Sequence, residues 1–158
     1  MSTDTAGIPG IDSAVVTPVP INGAWITGSE SSQVHAPYDG RLLGSVPKLT
    51  SADVDTAVAA AKKAMHEQPL PQWRRAEILD KAVIALTARQ EEFARCIALE
   101  AAKPIKTARA EAQRAISTLQ FSASVARSLA GEVVPLEASA AGEGKLGFIM
   151  RVPIGVIG

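Results

Sequence analysis

The stretch EAAKPIKTARAEAQRAISTLQFSASVARSLAG (Glu100–Gly131) decides how this chain is built. Lys103-Pro104 interrupts one helical pattern, because proline lacks a backbone donor and clashes with the preceding turn. From about Ile105 to Ala130 a longer helix is expected, with Ala108, Ala112, Ala115, Ile116, Leu119, Ala123 and Ala126 along one stripe. Side chains this small allow another helix to approach closely. Gly131 stands where a left-handed helix stop is expected, and Glu132–Leu136 then reads as a strand.

Working back toward the N-terminus, no glycine occurs between Ser45 and Ala130, and good helix formers dominate. A third helix carries Phe93, Cys96 and Ile97 toward Ala102, and a second runs from about Trp73 with Leu79, Ala82, Val83 and Leu86 inward. Pro69 and Pro71 separate that helix from a first one, opened by the capping box Thr50-Ser51-Ala52-Asp53. Val54, Ala57, Val58, Ala61 and Met65 share a face of the first helix, which ends near Gln68. Before it, Ile21–Ile26, Gln33–Ala36 and Arg41–Val46 read as short strands separated by the turn signals Gly28-Ser29 and Pro37-Tyr38-Asp39-Gly40. Residues 1–20 are small, polar and proline-bearing, and are expected to be mobile.

Working forward, Lys145–Val152 has a strand-like pattern, Pro153 breaks it, and Ile154-Gly155-Val156-Ile157-Gly158 opens a buried-strand pattern. A buried strand needs neighbours, so the expectation is a sequence cut short.

Composition limits what such a chain does. Apolar residues make up 47%, but 28 of the 158 residues are alanine and six are aromatic, so the core is thin and suits a domain leaning on a neighbour. Sixteen basic and sixteen acidic residues cancel, which removes the general attraction of a nucleic-acid or anionic-membrane binder. A single cysteine, Cys96, excludes an internal disulfide and points to a reducing, cytoplasmic setting. The first forty residues hold four acids and no Lys or Arg, unlike a targeting signal, and no apolar run approaches membrane-spanning length.

No candidate for chemistry survives comparison with its plainer reading. Gly142-Glu143-Gly144-Lys145-Leu146-Gly147 matches G-x-G-x-x-G, but no strand-to-helix junction surrounds it, so it reads as a turn or hairpin tip. Cys96 lies on a helix's apolar stripe and reads as a small buried hydrophobe. His35 and His66 have no metal-ligand spacing. Lys103, Lys106, Arg109 and Arg114 are interspersed with Glu100 and Glu111 and read as a solvated face, as do Glu91 and Glu92. No catalytic, cofactor-binding or metal residue is therefore assigned.

The order of the pieces, from Ile21 to Gly158, resembles the N-terminal portion of the NAD(P)-dependent aldehyde dehydrogenase superfamily. Ile21-Asn22-Gly23-Ala24-Trp25 is similar to its opening strand, and His35-Ala36-Pro37-Tyr38-Asp39-Gly40 to its asparagine-proline turn. Ser51-Ala52-Asp53-Val54-Asp55 with Ala57-Val58 resembles its first helix, and Trp73, Arg75, Ile78 and Leu79 resemble its W…R…IL pattern. Glu100-Ala101-Ala102-Lys103-Pro104 resembles E-[ST]-G-K-P with alanine for glycine, a departure that bears on a helix-ending turn. Glu111, Arg114, Phe121, Ala126 and Gly131-Glu132 continue the pattern, and Pro153–Gly158 resembles the start of the first cofactor-domain strand. Gly131–Leu136 with Gly142–Gly147 is similar to the branch acting on lactaldehyde, phosphonoacetaldehyde or, without phosphorylation, glyceraldehyde 3-phosphate.

The resemblance implies an α/β fold: short N-terminal strands, about four helices, a two-stranded arm and the start of a Rossmann-like sheet. It divides the chain into a mobile segment (1–20), a strand and helical part of the cofactor-binding domain (21–131), an oligomerisation arm (132–152) and a first cofactor-domain strand (153–158). It further implies oxidation of an aldehyde to a carboxylic acid with NAD or NADP, through a cysteine thiohemiacetal and thioester, in a homo-oligomer. A glutamate base, and an asparagine amide with a backbone N–H at the oxyanion, serve that chemistry. These residues are expected beyond Gly158, so the 158 residues alone are expected to be inactive and to bind neither dinucleotide. The alternative is a helical interaction module, or pseudoenzyme remnant, that binds a full-length relative.

Overall fold

The computed structural model describes residues 15–158. Of the segment expected to be mobile, residues 1–14 lie outside the described residues, while Val16 bridges Ser45 and the Thr17 N–H donates to the Ser45 carbonyl at 2.8 Å. β1 (Val19–Ile21) and β2 (Ala24–Ile26) pair antiparallel around Asn22-Gly23. Both turn residues have positive φ, +49° and +79°, which matches a two-residue turn to the twist of its strands. The single strand expected over Ile21–Ile26 is therefore a hairpin.

β3 (Glu30–His35) and β4 (Leu42–Lys48) form a second antiparallel pair, with an irregularity between Val34 and His35. Their turn closes through the Gly40 N–H on the Ala36 carbonyl at 2.9 Å, with Gly40 at φ +73°. His35 Nδ1–H donates to the Gly40 carbonyl at 2.9 Å, which staples the same turn.

Four helices follow: α1 (Ser51–Glu67), α2 (Gln72–Ala88), α3 (Gln90–Ala101) and α4 (Ile105–Ser128). The capping box is complete, with the Thr50 N–H donating to Asp53 Oδ2 at 2.8 Å and the Asp53 N–H donating to Thr50 Oγ1 at 3.3 Å. α3 ends on Ala102 in the left-handed region, at φ +51°. Gly131 does not play that part at the end of α4, where Leu129 is extended and Gly131 lacks positive φ. Its small size matters for another reason: a Cβ there would run into the Ile149 carbonyl.

α4 packs against both α2 and α3. Its stripe is buried at Ala108, Ala112, Ile116 and Ala123, whereas Ala115 turns outward and Leu119 and Ala126 are half-buried. Ala94 of α3 meets Ala108 and Ala112, so two alanine faces bring these helices together. On the other side of α3, Cys96 and Leu99 pack on Ala36 and Leu43 and join the helices to the β3–β4 pair. Phe93 does not face inward as expected; its ring is 40% exposed and lies 5.3 Å beneath the Arg89 guanidinium. On α2 the fully buried residue is Ala76, while Leu79, Ala82, Val83 and Leu86 are half-buried.

β5 (Glu132–Val134) and β6 (Gly147–Ile149) form a third antiparallel pair, joined through short 3-10 turns at Leu136–Ala138 and Ala140–Gly142. Both strands are shorter than the patterns at Glu132–Leu136 and Lys145–Val152 suggested. Residues 150–158 join no strand ladder among the described residues, and Ile154 and Ile157 are 90% and 79% exposed.

Candidate functional site

Among the described residues, Cys96, His35 and the acidic groups of α3 and α4 are held in structural roles. The Cys96 thiol is pushed up to about 11, first by burial and then by the neighbouring Glu100 carboxylate, to which Sγ donates at 3.5 Å. A thiol so held is protonated at neutral pH and is a poor nucleophile. His35 staples its turn, and His66 sits exposed in the last turn of α1, 31 positions further along the chain.

The basic and acidic side chains of α3 and α4 hold one another. Glu91 accepts from Arg109 Nε at 2.9 Å and Nη2 at 2.8 Å, and Arg95 of its own helix adds a contact at 3.4 Å. The Arg109 guanidinium, foremost, holds the Glu91 carboxyl down at about 2. Lys103 Nζ donates to Glu111 Oε2 at 2.7 Å and lowers that carboxyl too. Arg89 pairs with Glu92 through Nε at 2.8 Å, while Lys106 and Arg114 lie exposed. These are clamps within and between helices; among the described residues, Lys103 alone of them also lines a cleft, of about 350 Å³, with Tyr38, Asp39 and Arg41.

The glycine-rich stretch joins the two strands of the third pair and precedes no helix. Gly142 is buried, and a Cβ there would meet the Leu136 carbonyl; Gly144 has φ +67°. Lys145 Nζ donates to the Ala141 carbonyl at 2.7 Å, closing the loop on itself. A pyrophosphate cradle needs this loop at a helix N-terminus, so these residues do not fit a dinucleotide.

What the structure does offer is open apolar surface. Val133 and Phe148 are register partners in the third pair, and therefore lie on one face, 75% and 63% exposed. Two short strands present unpaired edges on either side, a form suited to extension by another strand. A second open region lies between α1, β1 and residues 154–158, a groove of about 790 Å³ lined by Val54, Ala57, Val58 and Ala61. The apolar face expected on α1 exists, but no residue of α1 is buried. Sequence periodicity located that face, and the structure shows it uncovered.

No helix among the described residues is long and apolar enough to cross a membrane. The sequence profile described as the aldehyde dehydrogenase family matches residues 25–158. The 3-sulfolactaldehyde dehydrogenase of Priestia aryabhattai is 39% identical over 137 residues, covering 87% of this chain and 28% of the relative. The aspartate-semialdehyde dehydrogenase 1 of Pseudomonas canavaninivorans is 34% identical over 126 residues, covering 79% and 27%. Among solved structures, aldehyde dehydrogenase 21 from Physcomitrella patens, in complex with the reaction product succinate, superposes with a TM-score of 0.76 at 32% identity, covering 83% of this chain and 28% of that one. The chain thus spans little more than a quarter of the length of these relatives. With the profile covering residues 25–158, from the second strand to Gly158, the chain belongs to the aldehyde dehydrogenase family.

Proposed function

We propose that these residues are the N-terminal portion of an NAD(P)-dependent aldehyde dehydrogenase, a scaffold for an enzyme that oxidises an aldehyde to a carboxylic acid. The observation that carries this is the family match over residues 25–158 by a chain spanning 28% of its relatives. On this reading 21–131 flank the cofactor-binding domain, 132–152 are an arm that pairs with another subunit, and 153–158 enter the first cofactor-domain strand. The nucleophilic cysteine, the general base and the oxyanion donors belong to the remaining polypeptide. On this reading Cys96, which packs on Ala36 and Leu43 and donates to Glu100, serves the scaffold and not the chemistry.

Relatives named for 3-sulfolactaldehyde, aspartate semialdehyde and malonate semialdehyde support an aldehyde that itself bears an anionic group. Within the branch suggested by Gly131–Leu136 and Gly142–Gly147, phosphonoacetaldehyde and glyceraldehyde 3-phosphate share that chemistry, and lactaldehyde, which is neutral, does not.

Calorimetric titration of the 158-residue chain with NAD and with NADP, together with an aldehyde oxidation assay, tests the reading. No heat and no dinucleotide reduction are expected. Micromolar binding or turnover would place the cofactor site within these residues and overturn it.

A further inference from the structure

Arg75 belongs to the Trp73-Arg75-Ile78-Leu79 pattern, and the scaffold role leaves its guanidinium unexplained. It is half-buried in the first turn of α2, between two clefts of about 380 and 540 Å³. Gln72 and the 150–153 segment line the first, Phe121 and Val125 line the second, and Leu129 borders both. No acidic side chain lines either cleft.

The nearby arginines are otherwise engaged. Arg74 pairs with Glu77, Arg127 with Asp80, and Arg151, on the rim of the first cleft, faces Glu132 at 3.9 Å. The Arg75 N–H donates to the Pro71 carbonyl at 3.1 Å, but its guanidinium has no hydrogen-bond or ion-pair partner among the described residues. Around it Phe121 is 74% exposed and Val152 77%. Aromatic and aliphatic side chains around an arginine are the composition found at the centre of protein interfaces. Covering that surface without an anion would bury an uncompensated charge, which is strongly unfavourable, whereas a carboxylate matches the planar guanidinium with two parallel hydrogen bonds.

We propose that a polypeptide segment carrying a carboxylate between apolar side chains docks over α2 and α4, with that carboxylate on Arg75. The segment belongs to the remaining polypeptide of the enzyme, because relatives are more than three times as long as this chain and the two clefts open beside residues 150–153. The inference rests on the reading above that these residues are one portion of an aldehyde dehydrogenase.

Thermal unfolding of Arg75→Met and Arg75→Lys, in the full-length enzyme and in the 158-residue chain, tests it. Methionine keeps the apolar stem and removes the charge. The full-length midpoint should fall by roughly 5 °C with methionine and recover in part with lysine, while the 158-residue chain is unmoved. Arg114→Met, at an exposed position, should move neither protein. Equal shifts in both proteins, or no shift in the full-length enzyme, overturn the proposal. So does a shift in the short chain that grows with its concentration, which would assign the carboxylate to a second copy. If the short chain lacks a cooperative transition, the full-length pair decides alone: methionine must lower the midpoint and lysine must restore part of it. A reading frame that ends at Gly158 removes the enzyme reading and this inference together, whereas an unaffected Arg75→Met enzyme removes this inference only.

Discussion

Ala102 shows how a single side chain can record a departure from a pattern and its cost. The pattern it resembles, E-[ST]-G-K-P, has glycine at this point, and the backbone explains why: α3 ends here at φ +51°, where a Cβ crowds the following carbonyl. Ala102→Gly should therefore stabilise the chain by about 1 kcal/mol, seen as a thermal midpoint higher by roughly 2–4 °C. An unchanged or lower midpoint would contradict the strain. Gly131 is the reverse case. It has no need of left-handed freedom, but the Ile149 carbonyl occupies the space a Cβ would take. Gly131→Ala should destabilise by on the order of 1–3 kcal/mol and should register as reduced denaturant midpoint. The sequence showed a helix stop at both places but gave the left-handed turn to Gly131, because a glycine after a helix looks the same whether φ or a neighbouring strand demands it. Asn22-Gly23 was different: the pair carries its own turn geometry, so the β1–β2 hairpin could have been read from those two residues.

At the level of elements, the helices were legible and their facing was only partly so. Pro69, Pro71 and Pro104 and the Thr50 capping box set the boundaries of α1, α2 and α4 close to where they fall. Facing failed where polar chemistry competed with periodicity, as at Phe93, which lies under Arg89 instead of in the core. What locks α3 to α4 beyond their alanine contact is the Glu91–Arg109 pair, a long-range partnership that spacing alone could not single out. Its pH dependence has a definite sign. Glu91 is lowered from 4.5 to about 2, chiefly by hydrogen bonds from Arg109, so its contribution is present above the unfolded value and is lost as pH falls from about 4.5 toward 2. The pair is exposed, so salt should weaken it. Carbon-detected NMR titration should place the Glu91 carboxyl near its folded value in the parent, and Arg109→Gln should return it upward toward 4.5. A midpoint already near 4.5 in the parent would mean that the clamp does not form in solution.

For the whole molecule the decisive quantity is how little it buries. Of the eight buried hydrophobic residues among those described, six are alanine, and Leu43 and Ile116 are the only larger ones. Alanine brings α3 and α4 close but removes little apolar area from water, so the larger side chains remain outside, among them Trp25, Trp73, Phe121, Phe148 and Ile154. The thin core was legible in composition; which faces stay open was not, since periodicity marks an apolar face without showing whether anything packs on it. The third strand pair concentrates the consequence. Its register sets Val133 and Phe148 side by side on one exposed face, and both strands have an unpaired edge. Such a hairpin adds strands from any copy that meets it, so the 158-residue chain should self-associate, with a sedimentation coefficient that rises with concentration. Replacing Val133 and Phe148 together by lysine sets two like charges opposite each other on that face and removes the apolar contact. Because both side chains are exposed, the helical packing should survive, visible as unchanged far-ultraviolet dichroism, while the concentration dependence falls away. If the double variant associates as strongly as the parent, the contact lies elsewhere, and the groove beside α1 becomes the surface through which copies meet.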